Sequence, residues 1–377
     1  MNLLISLCNI SYLPKEYFLG VYNCLEQRLQ YVELFSSNKE SFPIHELWGA
    51  TGIAKVENGY LVTTQGITNY IIYLDKNFNV VSYKALEIVK DTHSIAYNQG
   101  FVYVASTGNN SVIKLPFDNN FGEEQVYWTY ENKEENVIHL NGITFLGNEL
   151  IISCFGKKAG DKTIRSGFIK NITSNKILLE GIREPHNLTC YQDKLYVIES
   201  PTGCVYEIDR DNCEIVKEFA GYARGLAFND EGDVFVVRNA RRKSSRHIGG
   251  KKNVPLVDVT NDICEWEHAW ICHSKCNERT YTKQDITAFA FEVYDLIVLD
   301  PDFESPNLID FNEGISQKIL RYENSCADLK HQLQKSREQK AKVDSLLSQC
   351  NQANQQYKKQ IDDYKTQLDK VQKKSEE

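Results

Sequence analysis

Six four-residue segments recur along this chain. They are Thr51-Gly52-Ile53-Ala54, His93-Ser94-Ile95-Ala96, Asn141-Gly142-Ile143-Thr144, His186-Asn187-Leu188-Thr189, Arg224-Gly225-Leu226-Ala227 and Tyr294-Asp295-Leu296-Ile297. Each is a polar residue, a small or turn-forming residue, and the start of an apolar run. With the second residue of each as a marker (Gly52, Ser94, Gly142, Asn187, Gly225, Asp295), the steps are 42, 48, 45, 38 and 70 residues. A repeat of roughly 40 residues restricts the architecture severely. Each unit is one small sheet that cannot bury its own faces, so the units must stack on one another.

The unit ending at Asp209 reads most plainly. His186–Tyr191, Lys194–Ser200, Cys204–Ile208 and Glu214–Phe219 are rich in Val, Ile, Tyr and Leu, and Gln192-Asp193 and Pro201-Thr202-Gly203 supply turns between them. Phe101–Ala105 and the turn Thr107-Gly108-Asn109-Asn110 repeat that form. The sixth marker opens a first strand, Asp295–Leu299, with no further strands after it. The missing three stand at the N-terminus as Leu3–Cys8, Phe18–Cys24 and Leu29–Leu34. The reading is an all-β six-bladed β-propeller over residues 1–300, closed by N- and C-terminal strands, with five or seven blades as alternatives. Closure of this kind removes an open sheet edge. The long fifth step accommodates a basic insertion (Arg238–Lys252), a Cys/His/Trp stretch (Cys264–Cys276) and a strand-like run, Ile286–Phe291.

Beyond Ile315 the period changes. Steps of four and three alternate through Ile315, Ile319, Tyr322, Cys326, Leu329, Leu333, Ser336, Lys340, Val343, Leu347, Cys350, Asn354, Tyr357, Ile361, Tyr364, Leu368 and Val371. All but Ser336, Lys340 and Asn354 are apolar, Cys or Tyr, and no Gly or Pro follows Gly314. A 3.5-residue period predicts a long α-helical coiled coil over residues 315–377 after a linker at 301–314. The polar seam positions Lys340 and Asn354 favour a two-stranded parallel pair. A homodimer or a partner helix follows; the alternative is one helix folded back on the propeller.

Composition excludes some functions. The chain has 377 residues, 25% of them charged, and a formal net charge of −8. A general nucleic-acid binder needs the opposite field. No stretch approaches the ~20 apolar residues of a membrane span. Residues 3–8 are apolar, but no basic residue precedes them, as a signal peptide requires. Eleven cysteines are then read as free thiols in a reducing, cytoplasmic setting.

In a propeller the first strand of each blade lines the axis. The residues leading into it are therefore brought around one opening: Trp48, Thr51, His93, His139, Asn141, His186, Arg224 and Tyr294. The basic run beginning Arg238, Arg241 and Arg242 falls on loops of the same face. Guanidinium groups bind phosphate or carboxylate, so an anionic small molecule, an anionic carbohydrate or a nucleotide sugar fits. The plainer reading is that these side chains cap strand ends or fill the channel with bridging water. His93, His139 and His186 are also a possible ligand set for a divalent metal; otherwise no cofactor is indicated. Cys264, His268, Cys272, His273 and Cys276 are metal-binding residue types without a usual zinc spacing, and read better as a strand (Trp266–Cys272) and hairpin.

The segments His139-Leu140-Asn141-Gly142, Glu184-Pro185-His186-Asn187, Arg224-Gly225-Leu226-Ala227-Phe228 and Glu292-Val293-Tyr294-Asp295, in that order, resemble a bacterial propeller family. It is catalogued as a domain of unknown function and is distantly similar to strictosidine-synthase and gluconolactonase propellers. The resemblance covers roughly residues 1–300 and implies six blades with a polar axial site at His139, Asn141, His186 and Arg224. It implies no activity. This chain has His and Arg where several calcium-binding carboxylates of those enzymes would stand. The function expected is non-catalytic: a binding or scaffold protein whose funnel takes an anionic small molecule or glycan precursor, dimerised by its tail. The alternative is a metal-dependent hydrolase or lyase with an axial His-bound ion.

Overall fold

The computed structural model describes residues 1–8, 17–35, 42–131, 135–157, 166–209, 212–239, 268–287 and 292–310, and helical residues 333–349, 351–352, 354–356 and 358–359. The chain divides into two compact units, Met1–Gly314 and Ile315–Glu377.

The described strands of the first unit form six antiparallel sheets, the blades of a propeller. Blade one holds Leu47–Val56, Gly59–Gly66, Asn69–Asp75 and Val80–Leu86. Blade two begins with Thr92–Asn98, Phe101–Ser106 and Ser111–Asp118, and both Asn120–Phe121 and Gln125–Thr129 pair with the last of these. Blade three runs Leu140–Leu146, Glu149–Cys154, Gly167–Asn171, Lys176–Ile182. Blade four runs Pro185–Tyr191, Lys194–Glu199, Cys204–Asp209, Asn212–Glu218. Blade five runs Ala223–Phe228, Val234–Arg238, Trp270–Ser274, Thr282–Asp285. In the sixth blade the inner strand Val293–Val298 pairs with Asn2–Leu7, followed outward by Leu19–Asn23, Arg28–Val32 and Leu308–Asp310.

The two chain ends therefore complete one sheet. Leu3 faces Val298, Leu4 faces Ile297 and Ile5 faces Leu296 across it. The inner strand of this blade also touches those of blades one and five, which closes the ring. Leu3, Leu4, Ile5 and Leu7 have no exposed surface. Each such side chain contributes ~1.5–3 kcal/mol by leaving water.

The core lies between consecutive blades. Val56, Leu61 and Ile71 of blade one meet Val102, Val104 and Ile113 of blade two. Ala105 and Val112 meet Ile143, Leu150 and Ile152 of blade three. Ile151 and Ile169 meet Leu188, Leu195 and Val197 of blade four. Tyr196, Ile198 and Val205 meet Leu226, Val234 and Val236 of blade five. Strands buried on both faces carry near-continuous apolar runs, which is why the second strands read so clearly in the sequence.

Three local expectations change. Leu308–Asp310, in the stretch read as a linker, is a fifth strand of the closing blade, paired to Arg28–Val32. The third strand of blade five is Trp270–Ser274, with Trp266 outside the described residues. Its fourth strand, Thr282–Asp285, ends before Ile286, and 288–291 lie outside the described residues. In the second unit the described residues form a single helix of 24 residues, which does not make the long coiled coil expected over 315–377. Leu333, Val343, Leu346 and Leu347 are exposed on it. Among the described residues no helix is long and apolar enough to cross a membrane.

Candidate axial binding site

The repeated segment is a structural device. In every blade the register between first and second strands shifts at the marker: between Ala50 and Ile53, Thr92 and Ile95, Leu140 and Gly142, His186 and Thr189, and Ala223 and Leu226. In the sixth blade the shift falls between Ile5 and Leu7, opposite Val293–Leu296. A bulge bends a strand and re-aims a side chain. The residue before each marker (Thr51, His93, Asn141, His186, Arg224, Tyr294) stands at this irregularity in its blade. The markers are small because neighbouring inner strands approach there. A Cβ on Gly52 would lie 2.8 Å from the backbone N of Ile95, and one on Gly225 2.6 Å from Leu296 Cδ2.

A second column stands three residues before the markers: Gly49, Asp91, His139, Glu184, Tyr222 and Glu292. Asp91, His139 and Glu184 have φ of 61°, 51° and 44°, and Gly49 has 144°. Left-handed backbone at bulky residues persists only where the surroundings hold it. For His139 the hold is Asn110, whose Oδ1 accepts from the N–H of Val137 (2.9 Å) and Ile138 (3.0 Å).

The two columns build a closed collar of rings. His93 meets His139 at 5.1 Å between centroids, His139 meets Phe155 at 4.4 Å, and Phe155 meets His186 at 5.1 Å. His186 meets Tyr222 at 5.8 Å. The Arg224 guanidinium lies over Tyr222 at 5.6 Å and Tyr294 at 4.6 Å, and Tyr294 returns to His93 at 5.3 Å. The circuit bridges blade one, whose contributions are the small Gly49 and Thr51.

Hydrogen bonds anchor the collar. His93 Nδ1 faces the Asp91 carbonyl at 3.3 Å, and His186 Nδ1 faces Ser200 Oγ at 2.5 Å and the Glu184 carbonyl at 3.1 Å. His139 Nδ1 faces Asn136 Nδ2 at 3.0 Å. The Tyr222 hydroxyl donates to Glu184 Oε2 at 2.7 Å. Arg224 is 7% exposed and Glu292 4% exposed, and Arg224 Nη1 donates to Glu292 Oε1. Burial opposes the guanidinium charge, but the Glu292 carboxylate outweighs it and raises the Arg224 pKa. The Arg224 charge is thus matched within the protein.

The marker layer is also bonded across the axis. Asp295 Oδ1 accepts from Asn187 Nδ2 and from the N–H of Leu296 (2.9 Å), and its Oδ2 accepts from the N–H of Ile53 (2.9 Å). One carboxylate thereby ties blades six, four and one. Asp295 as a residue is half-buried, but protein crowds its carboxylate. Burial pushes its pKa up to about 6, against the opposing pull of those three N–H groups.

Of the sequence-predicted site residues, His93, His139, His186, Arg224 and Tyr294 form the collar. Asn141, 3% exposed, occupies the same register position in blade three. Trp48 is half-buried on the inner strand of blade one. Arg238 is buried at the end of the second strand of blade five, its guanidinium against Gly221. Arg241 and Arg242 lie outside the described residues. Phe155 and Tyr222 were not expected. Tyr222 belongs to the second column, which aligning the repeats three residues upstream of each marker reveals. Phe155 follows the second strand of blade three and has no such signal.

Among the described residues no group of three or more His, Cys, Asp or Glu side chains could hold a metal ion. The Phe155 ring stands between His139 and His186, and the imidazoles of His93 and His139 meet edge to face. In the other His/Cys stretch, His268 bonds Asp285 at 2.7 Å, and His273 stacks on Phe235 and bonds Asp233 at 3.1 Å. Cys264 lies outside the described residues.

The sequence profile of a family described as a domain of unknown function (DUF4915) matches residues 77–308, more than half of the chain. No curated protein matches. Among solved structures, a Bacteroides caccae protein of unknown function superposes with a TM-score of 0.51 at 8% identity, covering 78% of this chain and 97% of that one. A chain of a nidogen/laminin complex gives 0.48 at 9% identity, with 78% and 97% covered. A luciferin-regenerating enzyme gives 0.44 at 13%, with 63% and 76% covered. At 8% identity the likeness to the Bacteroides caccae protein shows the fold alone.

Proposed function

This chain belongs to the DUF4915 family, a domain of unknown function, and from that premise we propose that it is a non-catalytic binding or scaffold protein. Its axial collar recognises an anionic small molecule or glycan precursor. The observation that carries this reading is the collar itself: seven side chains from five blades and one following loop close a circuit around the axis. Its rings offer apolar faces and edges to a ligand body, and its polar atoms converge from different blades, as binding sites require. Scattered strand-end caps would not form a continuous ring.

The tail adds valency in this reading. Leu333, Val343 and Leu347 repeat at seam spacing, and burying them against the same residues of a second copy removes exposed apolar surface. Two linked propellers gain avidity on a repeating ligand. The setting proposed is the cytoplasm: Cys24, Cys154, Cys190, Cys204, Cys213 and Cys276 are free thiols. The net charge of −8 argues against a nucleic-acid partner.

The test is a thermal-shift screen of the full chain against nucleotide sugars, sugar phosphates, organic acids and neutral sugars. At least one compound raises the melting temperature of the native protein and fails to do so in a His186→Ala variant. A screen in which no compound discriminates the two sinks the binding reading.

A further inference from the structure

Two donors in the column before the markers are left unmet by the protein's own fold. Asn141 is 3% exposed and its Nδ2 has no hydrogen-bond partner; Arg224 is 7% exposed and its Nε has none. A buried donor without an acceptor costs ~1–3 kcal/mol, so such groups call for an explanation. Both stand immediately before a marker, in the column whose members His93, His186 and Tyr294 are links of the collar. Asn136 Oδ1, another unmet atom, is answered by turning its amide so that oxygen faces His139 Nδ1. Trp270 Nε1 is also unmet, but it lies on the third strand of blade five, away from the collar.

We propose that the collar binds a small monocarboxylate, whose two oxygens accept from Asn141 Nδ2 and Arg224 Nε while its body lies among the rings. This rests on the axial collar being a binding site and names the group it takes. Two separate N–H donors match the two oxygens of one carboxylate, and a bond to an ionised acceptor is roughly twice as strong as a neutral one. A phosphate fits less well. Arg224 already answers Glu292, and Asp91 and Glu184 place two more carboxylates in the wall. Two negative charges brought against that wall are repelled more than one. A carboxamide has one oxygen for two donors and sets its own N–H groups against them.

The experiment titrates the full chain with benzoate, benzamide and phenylphosphonate, which share a planar body and differ in head group. Benzoate binds most tightly. Asn141→Asp, which replaces the donor by a like charge at equal size, weakens it at least tenfold. Arg224→Lys, which keeps a cation beside Glu292 but lacks Nε, also weakens it at least tenfold. Melting curves without ligand identify a variant that fails to fold; Asn141→Leu then replaces Asn141→Asp. The inference is overturned if benzamide or phenylphosphonate binds as well as benzoate, or if folded variants bind benzoate as the native protein does. It is overturned too if none of the three binds; a collar-dependent hit in the broader screen then leaves the binding site standing without the carboxylate.

Discussion

Asp295 is the one marker that ionises. It occupies the position that Gly52, Gly142 and Gly225 hold elsewhere, and it spans the axis to Asn187 and Ile53. Its pKa, raised to about 6 by burial, lies above that of the unfolded chain. The native state therefore binds this proton more tightly. Stability from it is complete below the unfolded pKa near 4 and is lost as pH rises through about 6, a contribution of up to about 3 kcal/mol. The melting temperature of the native protein minus that of Asp295→Asn should fall between pH 4 and pH 6. A difference that stays flat over that window refutes the assignment. Arg224 and Glu292 make a second residue-scale case. Glu292→Leu strands a buried guanidinium and should cost ~3–5 kcal/mol in urea unfolding. Arg224→Met with Glu292→Leu should cost less than Glu292→Leu alone, because the pair stabilises little beyond its own desolvation. Equal losses would mean that the pair is not mutually dependent.

At the scale of elements, the closing blade governs both stability and site. Asn2–Leu7 seals the edge of Val293–Val298, and that inner strand carries Tyr294 and Asp295 just after Glu292. Ile5→Ala removes a side chain with no exposed surface and should cost ~2–5 kcal/mol in urea unfolding. Leu4→Asp should do more, opening the ring and abolishing ligand-induced melting shifts together with cooperative unfolding. Retention of ligand response in that variant would separate the collar from ring closure. The strands were legible because each blade is buried on both faces, leaving apolar runs between turn residues. The fourth strand of blade two and that of blade five read poorly. They lie at the rim, where Gln125–Thr129 and Thr282–Asp285 are largely exposed and polar residues serve as well as apolar ones. The rim strand Leu308–Asp310 has only three residues and sits among turn formers, so it resembled a linker.

At the scale of the molecule, removing residues 315–377 should leave the first unit folded and halve the mass in solution. A mass per particle unchanged apart from the deleted segment contradicts self-association through the tail. The first unit keeps its melting temperature in this experiment, because its core lies between its own blades. The number of blades, the joining of the chain ends and the column of His93, Asn141, His186, Arg224 and Tyr294 were all written in the period of the sequence. A repeat that must stack dictates neighbours, and it places equivalent residues equivalently around an axis. Other features depended on which blade faces which across that axis: the Phe155 bridge between two imidazoles, the pairing of Arg224 with Glu292, and the donors left over at Asn141 and Arg224. Those are contacts between residues far apart in the chain, set by side-chain packing at the centre of the ring, and periodicity carries no information about them.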